Sequence, residues 1–417
     1  MVTPHRRKKT ASRPRSTAPY LDAPNPLAGR KQAAEFVWRY WQQQPAVIRA
    51  AIEPQAMLSE SLNESMMRTL AGQDETESRL IRRRGRKWRL DHGPFEPTEL
   101  PEATDRRWTL LVQGVDQHLD QASDLLHRFN FLPQVRLDDL MISIAGDQGG
   151  VGPHTDSYDV FLVQLEGVRQ WTLGAPGDYP LQANQPLKLI ESFEPLTTLT
   201  LAPGDMLYVP PGWIHDGIAQ GCCTTASVGF RAPARTEVLS AWLQSSADRV
   251  VESSDDVSVQ YGDAQPANDG NAARTWRRLP GQIPPAMDEV LQSWINDWKP
   301  GKTEIKTFIG CYLTEPHASV WFDRPPDSQL DQFETDAKRN GVKLDRRTRI
   351  SFRERSVFIN GEAFATTAPL PAELKTLANG RSLNAAACAA LWAASDESID
   401  WLTQWFEAGW LRPQEPG

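Results

Sequence analysis

LMISIA (140–145), YDVFLVQL (158–165), VRQWTL (168–173), LTTLTL (196–201), DMLYVP (205–210) and TTASVGF (224–230) follow one another, separated by Gly-, Pro- and Asp-bearing spacers. Each run is short, apolar and rich in β-branched or aromatic residues. Consecutive short strands with turn signals and no crossover helices build antiparallel sheets, so the segment reads as a barrel or a double-sheet jelly roll. Glu166 and Gly167, between the second and third runs, read as a hairpin turn.

On the N-terminal side, AAEFVWRYWQQQP (33–45) reads as an aromatic-faced helix stopped by Pro45. Residues 57–73 and SDLLHRFNFLP (123–133) read as two more helices, and LIRRRGRKWRLDHG (80–93) as a hairpin about Gly85. Its Arg82, Arg83, Arg84, Arg86 and Arg89 suit a solvated edge strand better than a phosphate site. Beyond Pro233 the pattern turns helical: TEVLSAWLQSSADRVVE (236–252) with Thr236 as N-cap, a polar linker over 253–273, then PPAMDEVLQSWINDW (284–298). A β pair, RISFRERSVFINGEAF (349–364), with the helices SLNAAACAALWAA (382–394) and SIDWLTQWFEAGWL (398–411), suggests a winged-helix module.

The 417 residues suffice for about two to three domains. Lys and Arg total 45 against 53 Asp and Glu, a net charge of −8, which argues against a protein that coats nucleic acid or an anionic membrane. Residues 1–30 run against that balance, with Arg6, Arg7, Lys8, Lys9, Arg13 and Arg15 and no acid before Asp22. They read as a disordered basic tail, with a weak hold on RNA as the alternative. No apolar run follows the basic start and none is long enough to span a bilayer, so a cytoplasmic chain is expected. Cys222, Cys223, Cys311 and Cys388 form no CxxC pair and read as reduced thiols.

The chemistry concentrates in GGVGPHTDSYDVFLVQ (149–164) and DMLYVPPGWIHDGIA (205–219). His154 and Asp156, two apart at the mouth of a strand, project to one face, and His215, 59 residues past Asp156, can return across the barrel to join them. Two imidazoles and a carboxylate on one face leave about three of six octahedral positions open, the facial triad of non-haem iron(II) oxygenases; zinc hydrolases favour a tetrahedral site. An isolated HxD pair is common by chance. The weight comes from the company it keeps, the Gly-rich GDQGGVGP loop and the PPG turn before His215. The other five histidines, His5, His92, His118, His127 and His317, lack such an arrangement and read as surface or packing residues. Arg169, 15 residues past His154, offers a fork for a carboxylate such as the distal group of 2-oxoglutarate, with a plain salt bridge as the alternative. Ser143 can add a hydroxyl. Tyr158 and Trp213 suit a substrate channel or the core equally.

LDDLMIS, GGVGPHTDSYDVFLVQ, GVRQW, LAPGDMLYVPPGWIHDGIA and SVGFRAP together resemble the bacterial JmjC-type ribosomal oxygenases, from near Leu27 onward, through DHGPFE (91–96), over nearly the whole chain. That resemblance implies a β-rich double-stranded β-helix (jelly-roll, cupin) core followed by a helical dimerisation region and a winged-helix C-terminal domain. It divides the chain into a tail (1–30), a catalytic domain (31–232), a dimerisation region (233–300) and a winged-helix domain (301–417). It implies Fe(II) on His154, Asp156 and His215, 2-oxoglutarate held by Arg169 and Ser143, and O₂ as oxidant. The implied reaction is hydroxylation of the β-carbon (C3) of an arginine in a large-subunit ribosomal protein, by a homodimer with no membrane or DNA partner. Acids such as Asp138, Asp139, Asp147 or Asp216 suit a basic arginine. The alternatives are a JmjC demethylase or a hydroxylase of another substrate, and a non-catalytic cupin and winged-helix binding protein. The basic tail and the GDQGG loop depart from the family pattern, and the loop borders the substrate entrance.

Overall fold

The computed structural model describes residues 22–54, 61–252, 285–297 and 300–415. The basic tail up to residue 21 and the linker expected over 253–273 lie outside them. The described residues form two compact units, one drawn from within 22–232, 317–348 and 379–415 and one from within 233–316 and 349–378.

In the first unit the apolar runs form β5 (Leu137–Ala145), β6 (Asp159–Gly174), β7 (Thr197–Leu201), β8 (Met206–Val209) and β9 (Ile214–Phe230). The preceding segment supplies β1 (Ala46–Ile48), the hairpin β2 (Ser78–Arg84) and β3 (Lys87–His92), and β4 (Trp108–Val112). These nine strands make one antiparallel sheet, ordered β1-β8-β6-β9-β5-β4-β2-β3, with β7 also on β6. This is the antiparallel jelly-roll core expected of the runs.

One detail differs from the sequence reading. Glu166 and Gly167 make no hairpin turn: β6 runs through them, and its register against β9 shifts on either side of Glu166. Gly167, at φ +65°, supplies the left-handed residue of a β-bulge, so the glycine that signals a turn bends one long strand.

The largest core cluster is aromatic. Phe36, on the helix Arg30–Arg39, meets Tyr208 and Phe161 at ring distances of 5.3 and 5.5 Å. Asp159 is wholly buried there and accepts hydrogen bonds from Tyr208 (2.6 Å), Gln42 (2.9 Å) and Arg136 (3.3 Å). A buried carboxylate survives only when so satisfied. On the terminal strand pair, Arg82 and Arg89 share Asp91 at 3.1 and 2.9 Å, as edge-strand charges do. The helices expected at 57–73 and 123–133 span Glu64–Ala71 and Asp120–His127; residues 57–60 lie outside the described residues.

In the same unit, β10 (Val342–Leu344), β14 (Ser382–Leu383) and β15 (Leu411–Pro413) form a small antiparallel sheet. It accompanies the helices Phe333–Asn340, Ala385–Ala394 and Asp396–Glu407. The second unit holds helices Arg235–Glu252, Pro285–Asp297 and Lys302–Thr314. Thr236 lies inside the first of these rather than capping it, because the helix opens one residue earlier. The β pair expected over 349–364 is a three-stranded meander, β11 (Ile350–Arg353), β12 (Ser356–Ile359) and β13 (Glu362–Ala365). Asn360 (φ +47°) and Gly361 (φ +87°) turn the chain into the third strand. Among the described residues no helix is long and apolar enough to cross a membrane.

Candidate metal centre and cosubstrate pocket

His154 and Asp156 lie in the loop just before β6, and His215 is the second residue of β9. The loop is pinned to the strand by paired backbone bonds, His154 N to His215 O (3.2 Å) and His215 N to His154 O (3.0 Å). The imidazoles stand 4.2 Å apart, centroid to centroid. Asp156 lies 3.4 Å from His215 Nε2 and 3.9 Å from His154 Nε2. One ligating atom from each of the three falls within 4.8 Å of the others, and among the described residues no other such cluster of His, Cys, Asp or Glu occurs.

The outer nitrogens fix the tautomers. His154 Nδ1 faces the carbonyl of Gly152 at 2.8 Å and His215 Nδ1 that of Trp213 at 3.2 Å. A proton on each Nδ1 can donate outward, leaving the Nε2 lone pairs for a common centre. Burial first, and then His215, push His154 down to about 4. Burial alone would raise the Asp156 carboxyl, but His215 and His154 beside it hold it below the ordinary carboxylate range. Both groups therefore stand deprotonated at neutral pH, the state a divalent metal requires.

Strand register sets what lies beside the triad. Leu173 faces His215 across β6 and β9, Trp171 faces Gly217, and Arg169 faces Ala219, so the side chains of Trp171 and Arg169 fall in line away from the metal end. Arg169 is 5% exposed. Its Nε donates to Cys223 Sγ at 3.4 Å and Nη1 to Ser143 Oγ at 3.3 Å, while the buried Nη2 has no partner. The salt bridge that was the alternative for Arg169 does not form among the described residues. The Ser143 hydroxyl donates its own proton to Thr225 O at 3.3 Å. The triad, Arg169, Ser143 and Trp171 border one cavity of about 270 Å³.

Further residues close this cavity. Tyr158 and Asp139 line it; Trp213 instead packs against the apolar cluster around Val47 and Leu207. Asp139 is 8% exposed, bonded to Gln113 and the Gly114 amide, and its carboxyl is raised by burial and the neighbouring Asp138 charge. Asp138 borders an adjoining groove. Asp147 stands outside both, paired with Arg106 at 2.7 Å, and so does Asp216, whose carboxyl burial raises. Arg79, Gln113, Met141, Leu187 and Leu189 line the cavity without any signal in the sequence, since strand and loop residues of these types are ordinary. Cys223 gives no signal either.

Fold and triad together define a JmjC-type cupin protein with a C-terminal winged helix. Residues 124–238 match the JmjC domain family and residues 290–412 the ROXA-like winged helix. The chain is 37% identical over 207 residues to the ribosomal protein uL16 3-hydroxylase of Escherichia coli K12, covering 49% of this chain and 54% of that protein. It is 31% identical over 208 residues to a probable ribosomal oxygenase of Haemophilus influenzae, covering 48% and 49%. These alignments span about half the length of each curated relative. A solved structure of YcfD, a ribosomal oxygenase from E. coli in complex with cobalt and 2-oxoglutarate, aligns over 91% of this chain and 97% of that one, at 28% identity and a TM-score of 0.72.

Proposed function

We propose that the chain is an Fe(II)- and 2-oxoglutarate-dependent protein hydroxylase acting on the β-carbon of an arginine in a large-subunit ribosomal protein. The observation that carries this reading is a single cavity bordered at one end by an open-sided His-Asp-His cluster and at the other by a buried guanidinium with an unpartnered Nη2. A buried Arg without an anion calls for one from outside. The residues present thus fit both groups: two imidazoles and a carboxylate for iron, and a cation for a dicarboxylate. The cobalt and 2-oxoglutarate in the YcfD complex support the assignment.

When bound, iron, 2-oxoglutarate and O₂ supply oxidative decarboxylation to succinate coupled to oxygen insertion into a C–H bond. The chain's own residues do the rest. His154, Asp156 and His215 would hold the metal on one side only. Arg169, steadied by Ser143, would neutralise the distal carboxylate. Val160, Leu162, Leu187 and Leu189 give the cavity apolar wall. Asp139, with Asp138 in the adjoining groove, offers carboxylates to a guanidinium, and Tyr158 stands on the same wall. The uL16 3-hydroxylase among the relatives supports the ribosomal substrate. A ribosomal substrate implies a cytoplasmic enzyme with no membrane or DNA partner. We retain the division into 1–30, 31–232, 233–300 and 301–417, with 233–300 as the dimerisation region, on the change of pattern along the sequence.

The test is turnover of 2-oxoglutarate with Fe(II) and peptides of large-subunit ribosomal proteins, read by mass spectrometry. A gain of 16 mass units on arginine is expected; loss of a methyl group would mark a demethylase, and no succinate with any peptide would mark a binding protein. His154→Ala must abolish turnover. Arg169→Ala should raise the 2-oxoglutarate requirement by about 100-fold, as loss of a charged hydrogen-bonding partner predicts, with metal affinity little changed.

A further inference from the structure

We propose that Cys223 is a positioning residue for the cosubstrate: by accepting the Nε–H of Arg169 it closes one edge of the guanidinium and leaves the end-on edge for the distal carboxylate. This rests on the cosubstrate reading above and adds a residue that the metal and carboxylate chemistry alone would not single out.

A guanidinium can meet a carboxylate side-on, through Nε and one Nη, or end-on, through both Nη atoms. Here the Nε edge is taken. Cys223 is 1% exposed, and its Sγ stands 3.4 Å from Arg169 Nε. Ser143 Oγ takes one proton of Nη1 at 3.3 Å, and Nη2 is buried without a partner. Protons left free on Nη1 and Nη2 thus define the end-on edge.

Backbone register makes the contact reproducible. Cys223 pairs with Ala145 on β5 and belongs to a small cluster with Ala145 and Ala219, the residue opposite Arg169. The two alanines carry no polar side-chain atom that could compete for either partner. The guanidinium also lies 5.8 Å from the centre of the Trp171 ring. The thiol on Nε, the hydroxyl on Nη1 and the indole together restrict the fork, so less freedom is lost when a carboxylate arrives.

The test compares Cys223→Ala with Cys223→Ser. Both remove the sulfur's volume, and only Ser restores an acceptor, so a packing role would move them equally. Calorimetric binding of 2-oxoglutarate, and of an oxidatively inert analogue, is measured on Mn(II)-loaded protein. Cys223→Ala should bind both about three- to tenfold more weakly, the loss expected of one hydrogen bond to a weak sulfur acceptor. Cys223→Ser should stay within about twofold of the unaltered chain, since its hydroxyl also accepts. With Fe(II) and substrate, Cys223→Ala should show the loss in the KM for 2-oxoglutarate and not in kcat. Unaltered binding by Cys223→Ala, or equal weakening of both variants, overturns the inference while leaving the cosubstrate reading intact. Failure of the unaltered chain to bind 2-oxoglutarate overturns both.

Discussion

At the residue scale the site depends on protonation. His154 is held down to about 4 by burial and by His215, against an unfolded value near 6.5. Between those values the unfolded chain binds the proton that the folded chain refuses, so stability falls as pH drops from about 6.5 to 4 and the loss is complete below that window. Metal-free protein should therefore lose melting temperature steadily across the interval. His154→Ala should show a shallower slope; identical slopes for the two proteins would mean that His154 is not the group responsible. Metal affinity should weaken over the same range, because protons and metal compete for Nε2. The triad is legible in the sequence because an HxD pair just ahead of one apolar strand and a His at the start of another need only the pairing of those two strands to meet. Ser143 beside Arg169 is legible too; Cys223 is not, because it lies 54 residues away and meets Arg169 only through the β5–β6–β9 register.

At the element scale the bulge at Gly167 is the lesson. A Glu-Gly pair between two apolar runs satisfies the rule for a hairpin, and local sequence holds nothing to say that the same strand continues. What decides is long range: β9 is 17 residues long and pairs with β6 on both sides of the shift. A Cβ on Gly167 would stand 2.2 Å from the Cys222 carbonyl oxygen, and φ +65° disfavours any side chain there. Gly167→Ala should thus destabilise the chain by about 1–3 kcal/mol, read as a lower urea midpoint at unchanged slope. Because Arg169 lies two residues on, 2-oxoglutarate binding should weaken with it; an unchanged midpoint would show that the bulge relaxes without cost. The third strand of the 349–364 segment is hidden for a related reason, since Asn360 and Gly361 compress the second turn into two residues.

At the scale of the whole molecule, the two-unit organisation leaves an apolar surface to explain. In the second unit, Leu239 and Leu243 are 47% and 64% exposed and stand four residues apart, hence on one face of the helix Arg235–Glu252. Trp242 packs against Phe308 at 5.0 Å, so this helix also has an inward face. Leu291 and Ile305, on the next two helices, are 40% and 38% exposed. Covering leucines left this open contributes about 1–2 kcal/mol each, and a second copy of the chain is the occupant that the proposed dimerisation region calls for. Leu243→Glu would place a charge at the centre of such an interface. The unaltered chain should therefore sediment as a dimer, and the variant should shift toward monomer at micromolar concentration with 2-oxoglutarate binding at the metal centre retained. A variant with the same mass as the unaltered chain would move the interface elsewhere, and an unaltered chain that sediments as a monomer would remove it.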